Sequence, residues 1–237
     1  MTCIASLFHF KKVVLFLIIS IIVCTTAVAQ EYRYEIGGGL GLSSYMGDAN
    51  QNNPFTGFHP SFEAILRKNT NFRWALKTNL LMGSVSGNTN KSGNVYPGNA
   101  TAEFSRSFYE LGEHIEFNFL PYSDKFAYLQ TSKFSPYLMV GLGFTLASGD
   151  NTFFGINLPV GVGLKYKIKN RVNLGLEYSV KKLFKDDFDA PGKSGFNLDN
   201  PYQLNGSIMK NRDWYTTLIF SVTWDFGPNN RKCTNLE

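Results

Sequence analysis

Apolar and polar residues alternate one for one through "NLPVGVGLKYKIKNRVNLGLEYSV", residues 157–180. Leu158, Val160, Val162, Leu164, Tyr166 and Ile168 share one parity; Gly161, Gly163, Lys165 and Lys167 share the other. After Lys169-Asn170-Arg171 the pattern resumes with Val172, Leu174, Leu176, Tyr178 and Val180, separated by Asn173, Gly175, Glu177 and Ser179. A period of two belongs to strands whose two faces meet different surroundings. A three-residue loop pairing Ile168 with Val172 keeps both apolar rows on one side of a hairpin. The fold is therefore expected to be all-β, and what those rows face, a protein core or lipid, governs everything else.

The same alternation recurs along the chain. Outward-parity sets are Tyr32, Tyr34, Ile36, Leu40, Leu42 and Met46; then Phe58, Phe62, Ala64 and Leu66; then Phe72, Trp74, Leu76, Leu80 and Met82. They continue with Tyr109, Leu111, Ile115, Phe117 and Phe119, and with Leu138, Val140, Leu142, Phe144 and Leu146. The hairpin above follows, its first strand entering near Phe154, and the last strand carries Trp214, Leu218, Phe220, Val222, Trp224 and Phe226. This predicts eight strands of about ten to fourteen residues, the length needed to cross a bilayer at a tilt. Connections 67–71 and 169–171 are tight turns and 148–152 is short. Segments 87–107 and 184–212 are long and polar, and 47–57 is intermediate. Segment 121–135 is longer than its place in the order suggests and is expected to form a periplasmic docking element. Pro60 and Pro159, which cannot donate to a ladder, are expected near a rim or at a bulge.

The chain's start supplies a compartment. Lys11-Lys12 precede the apolar run "VVLFLIISIIVC" and then Ala27-Val28-Ala29. This is the layout of a secretory signal peptide over residues 1–29, too short for a spanning helix. The mature part then divides into a barrel at 30–226 and a short C-terminal periplasmic tail at 227–237. The formal charge of +5 drops by two on removal of the signal, too mild a balance to suggest nucleic acid as a partner. Cys3 and Cys24 also leave, so Cys233 has no mate for an internal disulfide.

Alternation alone fits two barrels. A soluble, lipocalin-like periplasmic barrel carries its apolar face inside, and a membrane barrel carries it outside. Three features favour lipid. The apolar rows are nearly free of charge, with Glu113 inside a strand and Lys182 at a strand end. The opposite face is dense in glycine (37, 39, 41, 112, 141, 143, 161, 163, 175) and its charges balance. The cations are Arg33, Arg67, Arg73, Lys77, Lys165, Lys167 and Lys181; the anions are Glu35, Glu63, Glu110, Glu116, Glu177, Asp213 and Asp225. Such balance suggests internal ion pairing. Finally, Tyr32, Tyr45, Phe72, Trp74, Tyr109, Phe119, Trp214 and Trp224 lie near strand ends, where interfacial girdles form. The expectation is an eight-stranded antiparallel transmembrane β-barrel of the outer-membrane type, with outer-membrane lipid around it.

Chemistry-bearing patterns are sparse. His114 lies on the inward parity beside Glu110 and Glu116, and the bland expectation is an interior histidine joined to the charge network. A barrel enzyme modifying outer-membrane lipid would need a serine within its reach at the outer rim. His59 is expected at a rim. Asp48, Asn50 and Asn52 alternate like the start of a calcium loop, but Asn53 and His59 stand where its glycine and bidentate glutamate belong. Asp186, Asp187 and Asp189 gather in a long loop and read as solvated. No catalytic, cofactor or metal residues are assigned, and an eight-stranded barrel holding so many inward charges leaves no pore.

Four stretches carry a resemblance: "YRYEIGGGLGLSSYMGDAN", "YELGEHIEFNFLPYSD", "SPYLMVGLGFTLASG" and "DWYTTLIFSVTWDFG". They are similar to the PorG-like outer-membrane barrels of Bacteroidota associated with type IX protein secretion. The resemblance implies an integral outer-membrane component, non-enzymatic, that ties a periplasmic ring lipoprotein of the secretion apparatus to the membrane. The "WDF" at Trp224–Phe226 resembles the aromatic-ended signal by which barrel precursors are recognised for insertion.

Overall fold

A computed structural model describes residues 33–47, 57–89, 103–124, 127–149, 152–169, 171–185, 188 and 213–227. The expected signal peptide, Tyr32, the Asp48–Asn52 loop, the Asp186–Asp189 cluster, Cys233 and the tail beyond Gly227 lie outside these residues.

Eight strands form: β1 Tyr34–Met46, β2 His59–Asn69, β3 Trp74–Asn88, β4 Glu103–Asn118, β5 Phe134–Ser148, β6 Phe153–Lys169, β7 Val172–Leu183 and β8 Trp214–Phe226. Each pairs antiparallel with its sequence neighbours and β8 returns to β1, closing the barrel. Closure removes every edge, which a sheet immersed in lipid requires because lipid offers backbone groups no partner. The β1–β8 seam runs unbroken from Tyr34↔Phe226 to Met46↔Trp214. Glycine lets these strands approach: a methyl on Gly37 or Gly41 would run into the carbonyl of Val222 or Leu218.

The sidedness is that of a membrane barrel. Ile36, Leu40, Phe62, Leu111, Val140, Leu164 and Phe220 are exposed on the outside, while Glu35, Lys77, Glu110, Glu116 and Lys165 are buried. A soluble ligand-binding barrel would carry the reverse arrangement. Trp74, Phe134, Tyr166, Trp224 and Phe226 ring the end nearer the chain termini; Phe58, Tyr109 and Phe154 stand towards the other. Trp and Tyr at such levels fit the headgroup zone. Tyr45 is a correction: its odd parity on β1 points it into the lumen, where it is fully buried and its hydroxyl donates to Asp213 Oδ1 at 2.5 Å.

Several expected boundaries move. β3 and β4 pair as far as Asn88↔Glu103, so the expected 87–107 loop is strand at both ends. Beyond Met82 and Tyr109 the outward row turns to Ser84, Ser86, Asn88, Glu103, Ser105 and Ser107. The apolar band ends there, and the hairpin rises past it into water. The hairpin expected to pair Ile168 with Val172 instead pairs Lys169 with Val172, after a register shift between Lys167 and Lys169. Pro60 is the second residue of β2, near the rim as expected. Pro159 lies inside β6, where β5–β6 pairing skips from Val140↔Val160 to Gly143↔Asn157 and resumes without a shift. The missing N–H removes ladder bonds locally, and the two flanking ladders hold the register.

Candidate functional site

The polar side chains gather in the lumen, which divides into layers. At the level nearer the chain termini, Arg67 Nη1 donates to Glu35 Oε2 at 2.5 Å and Nη2 to Glu116 Oε1 at 3.2 Å. Lys165 donates to the other oxygen of Glu116 at 2.5 Å. Glu35 is completed by Asn69 at 2.7 Å and Thr223 at 3.0 Å. Beside them Lys77 reaches both oxygens of Glu177 at 2.8 Å and lies 3.1 Å from Glu63. Tyr137 donates to Glu177 at 2.7 Å, and Asn79 donates to Glu63 at 2.8 Å. Lys167 donates to Asp225 at 2.5 Å, and Asn173 donates to the other oxygen of Asp225 at 2.6 Å. Alternation brings this about: seven strands aim their odd residues inward and β4 its even ones, so charges distant in sequence converge. Buried ions survive only when paired and hydrogen-bonded in this way.

The expected ion pairing is present with a changed membership. Arg33 and Arg73 are exposed at the mouth, Arg73 donating to the carbonyl of Phe119 at 2.7 Å. Arg106, on the part of β4 read as loop from sequence, is buried in the lumen instead.

The layer towards the long loops is aromatic. Tyr45 meets Phe104 edge-on at 4.9 Å, Phe108 lies 5.1 Å from Tyr215, and Phe188 stacks on Tyr215 at 5.6 Å. Phe153, Leu183 and Ile219 fill the gaps between them. This layer departs from the polar inward face expected from the sequence, and the inward parity of Phe104, Phe108 and Phe153 is the signal that points to it. Between the layers Lys181 grips Glu110 at 2.8 and 3.0 Å, and the Tyr215 hydroxyl donates to the same carboxylate.

His114 sits at this waist, fully buried, with neither ring nitrogen hydrogen-bonded to another of the described residues. The expected inward position is right, but no hydrogen bond joins the ring to the ionic network. Among the described residues no serine hydroxyl is bonded to it. The Ser–His contact lies elsewhere: His59 Nε2 and Ser86 Oγ are 2.7 Å apart at the rim on the long-loop side. His59 is half-buried there, as a rim residue should be. Among the described residues no group of three or more His, Cys, Asp and Glu is disposed to hold a metal ion.

The opposite mouth is capped. Between β4 and β5, residues 119–124 and 127–133 fold back on the barrel: Tyr122 N donates to Phe72 O at 3.0 Å, Ser123 N to Ser132 O at 3.0 Å, and Ser132 N to Pro121 O at 2.8 Å. Tyr122 enters the lumen, donating to Asn173 Oδ1 at 2.9 Å with Lys167 5.5 Å from its ring centre. Burial pushes its phenol well above the usual tyrosine range, so it stays a donor. A 3-10 turn at Ala127–Leu129 then presents Tyr128, 78% exposed, on the outside.

On the outer surface the two charges noted in the apolar rows differ in setting. Lys182 is 8% exposed with its ammonium 5.0 Å from the centre of the Trp214 ring. Glu113 is exposed, accepting a bond from Thr78 Oγ1 at 2.6 Å.

Among solved structures, the chain is similar to Neisserial surface protein A (15% identity, 81% of this chain and 97% of that one, TM-score 0.46). It is also similar to Ail, the attachment invasion locus protein of Yersinia pestis, crystallised with the heparin analogue sucrose octasulfate (11%, 83% and 100%, TM-score 0.46). A third likeness is to the outer membrane protein OprG from Pseudomonas aeruginosa (9%, 84% and 98%, TM-score 0.44). No curated protein matches. Residues 11–235 match the family described as "Domain of unknown function (DUF6089)", and the chain belongs to that family.

Proposed function

We propose that this protein is a non-enzymatic structural component of the cell outer membrane that anchors an envelope assembly. The filled lumen carries the reading. An ionic layer, an aromatic layer and the Tyr122 cap occupy the interior in series. A barrel so packed offers no conduit, so its service lies on its surfaces. Segment 119–133, with Tyr128 outermost, is the docking face on the periplasmic side. The finer reading, resting on the sequence resemblance, is a PorG-like accessory of type IX secretion holding a periplasmic ring lipoprotein. Pull-down of the tagged protein from outer membranes in mild detergent, read by mass spectrometry, tests it. Recovery of such a lipoprotein in near-constant ratio, lost on Tyr128→Ala, is the expected result. Recovery of the barrel alone refutes the assembly role.

A second reading, a barrel enzyme acting on outer-membrane lipid, is favoured by one observation. The His59–Ser86 pair has nucleophile–base spacing at the rim where headgroups lie. A fluorophosphonate probe labelling Ser86 in wild type, and not after His59→Ala, would establish it; absence of labelling leaves the pair as a clip holding the β3–β4 hairpin to β2.

A further inference from the structure

Register sets four residues at one level of the lumen wall. Asn79 on β3 pairs with Gly112 on β4, Gly112 with Gly143 on β5, and Gly143 with Asn157 on β6. All four lie on the inward parity, so two bare backbone positions are flanked by two buried carboxamides. The orientation of each amide is fixed by its other contacts. Asn79 Nδ2 donates to Glu63 at 2.8 Å, and an ionised carboxylate only accepts. Asn157 Nδ2 donates to Thr145 Oγ1 at 2.6 Å and to the Tyr215 hydroxyl at 3.1 Å, whose own proton goes to Glu110.

Both Oδ1 atoms are thereby turned towards the glycines, and neither has a donor among the described residues. His114 Nε2, also without a partner there, aims at the same place. A methyl carbon on Gly112 would stand 2.4 Å from Asn79 Oδ1, 2.8 Å from His114 Nε2 and 3.3 Å from Glu110 Oε1. One on Gly143 would stand 2.6 Å from Asn157 Oδ1. Three buried polar atoms therefore converge, from three strands, on space that two absent side chains leave open. Polar atoms so deeply buried are costly unless something bonds them.

We propose that the space above Gly112 and Gly143 is a binding site for structural water, which accepts from His114 Nε2–H and donates to Asn79 Oδ1 and Asn157 Oδ1. The set asks for a small molecule that both donates and accepts. Lys181 already lies 3.0 Å from Glu110 Oε1, so a second cation would meet a fixed positive charge. Asn79 Oδ1 and His114 Nε2 both lie within 2.8 Å of one point, a span that a single water bridges. Water here joins two hydrogen-bonded groups, Glu63 with Asn79 on one side and Asn157, Tyr215 and Glu110 on the other, and ties His114 to both. The ionic and aromatic halves are then held together through the waist.

The test uses the full chain in lipid nanodiscs, labelled with nitrogen-15 at histidine, and reads magnetisation transfer from water to the His114 ring by NMR. His59→Gln assigns the His114 signal. A cross-peak from long-lived water is expected, weakened about five-fold or more in Gly112→Ala, whose methyl takes up part of the space. The urea midpoint gives an independent reading through His114→Leu. A bridged imidazole predicts a lowered midpoint, whereas a dry one predicts a raised midpoint as two unpaired nitrogens leave. No cross-peak in wild type, a cross-peak undiminished in Gly112→Ala, or a midpoint unchanged or raised by His114→Leu overturns the proposal.

Discussion

The two ends of the lumen solve the same problem with opposite materials. Near the chain termini the space is filled by Arg67, Lys77, Lys165 and Lys167 interleaved with Glu35, Glu63, Glu116, Glu177 and Asp225. Towards the long loops it is filled by Tyr45, Phe104, Phe108, Phe153 and Tyr215. Both fill their level with buried side chains, yet they differ in how they tolerate change. An aromatic layer is held by many small, interchangeable contacts, so a loss is local and proportional to volume. An ionic layer is held by shared partners, so removing one ion strands its neighbours without compensation. Glu116 makes the point: it serves Arg67 and Lys165 together. The charged half should therefore be brittle and the aromatic half plastic.

The sharpest break of this contrast is Glu116→Leu, which strands two buried cations. It should destabilise by about 3–5 kcal/mol, read as a lowered urea midpoint for vesicle-inserted protein. Phe108→Ala, a cavity in the plastic half, should cost about 3 kcal/mol, and Phe108→Leu clearly less. If the glutamate change proves no worse than Phe108→Leu, the ionic layer is wet and the contrast fails. Tyr122→Phe removes one neutral hydrogen bond to Asn173 and should cost about 1 kcal/mol, with the cap's protease resistance falling before the barrel's. Smallest is the paired change Lys167→Met with Asp225→Leu. Removing both partners of a buried pair is often near neutral, so the double variant should lie within about 1 kcal/mol of wild type while each single change costs more.

Much of this was legible from alternation. The period of two placed the strands and the lipid-facing rows, because a residue's parity fixes its face wherever two surroundings differ. Most of the ion-pair members followed from the same parity, though not who pairs with whom. Register across strands far apart in sequence sets that, as with Lys77 and Glu177. The misses share a cause. Tyr45 and Phe108 were not placed in the lumen because an aromatic invites an apolar surrounding whichever way it points. The rise of β3 and β4 above the band was hidden because Ser84, Ser86, Ser105 and Ser107 read as loop when water lies on the outer side. The cap escaped entirely, since the seating of Tyr122 depends on a mouth built by other strands.

That seating also fixes an order of events. The phenol leaves the β4–β5 connection and reaches Asn173 on β7, across 51 residues of chain. Asn173 is itself tied to Asp225 on β8. The final bond therefore has nowhere to form until the last hairpins have swung round, so Tyr122 docks late, after long-range pairings have been won. A tyrosine that locks only when the circle is nearly closed acts as a latch on assembly, and its burial marks the moment at which the newly inserted chain becomes a finished one.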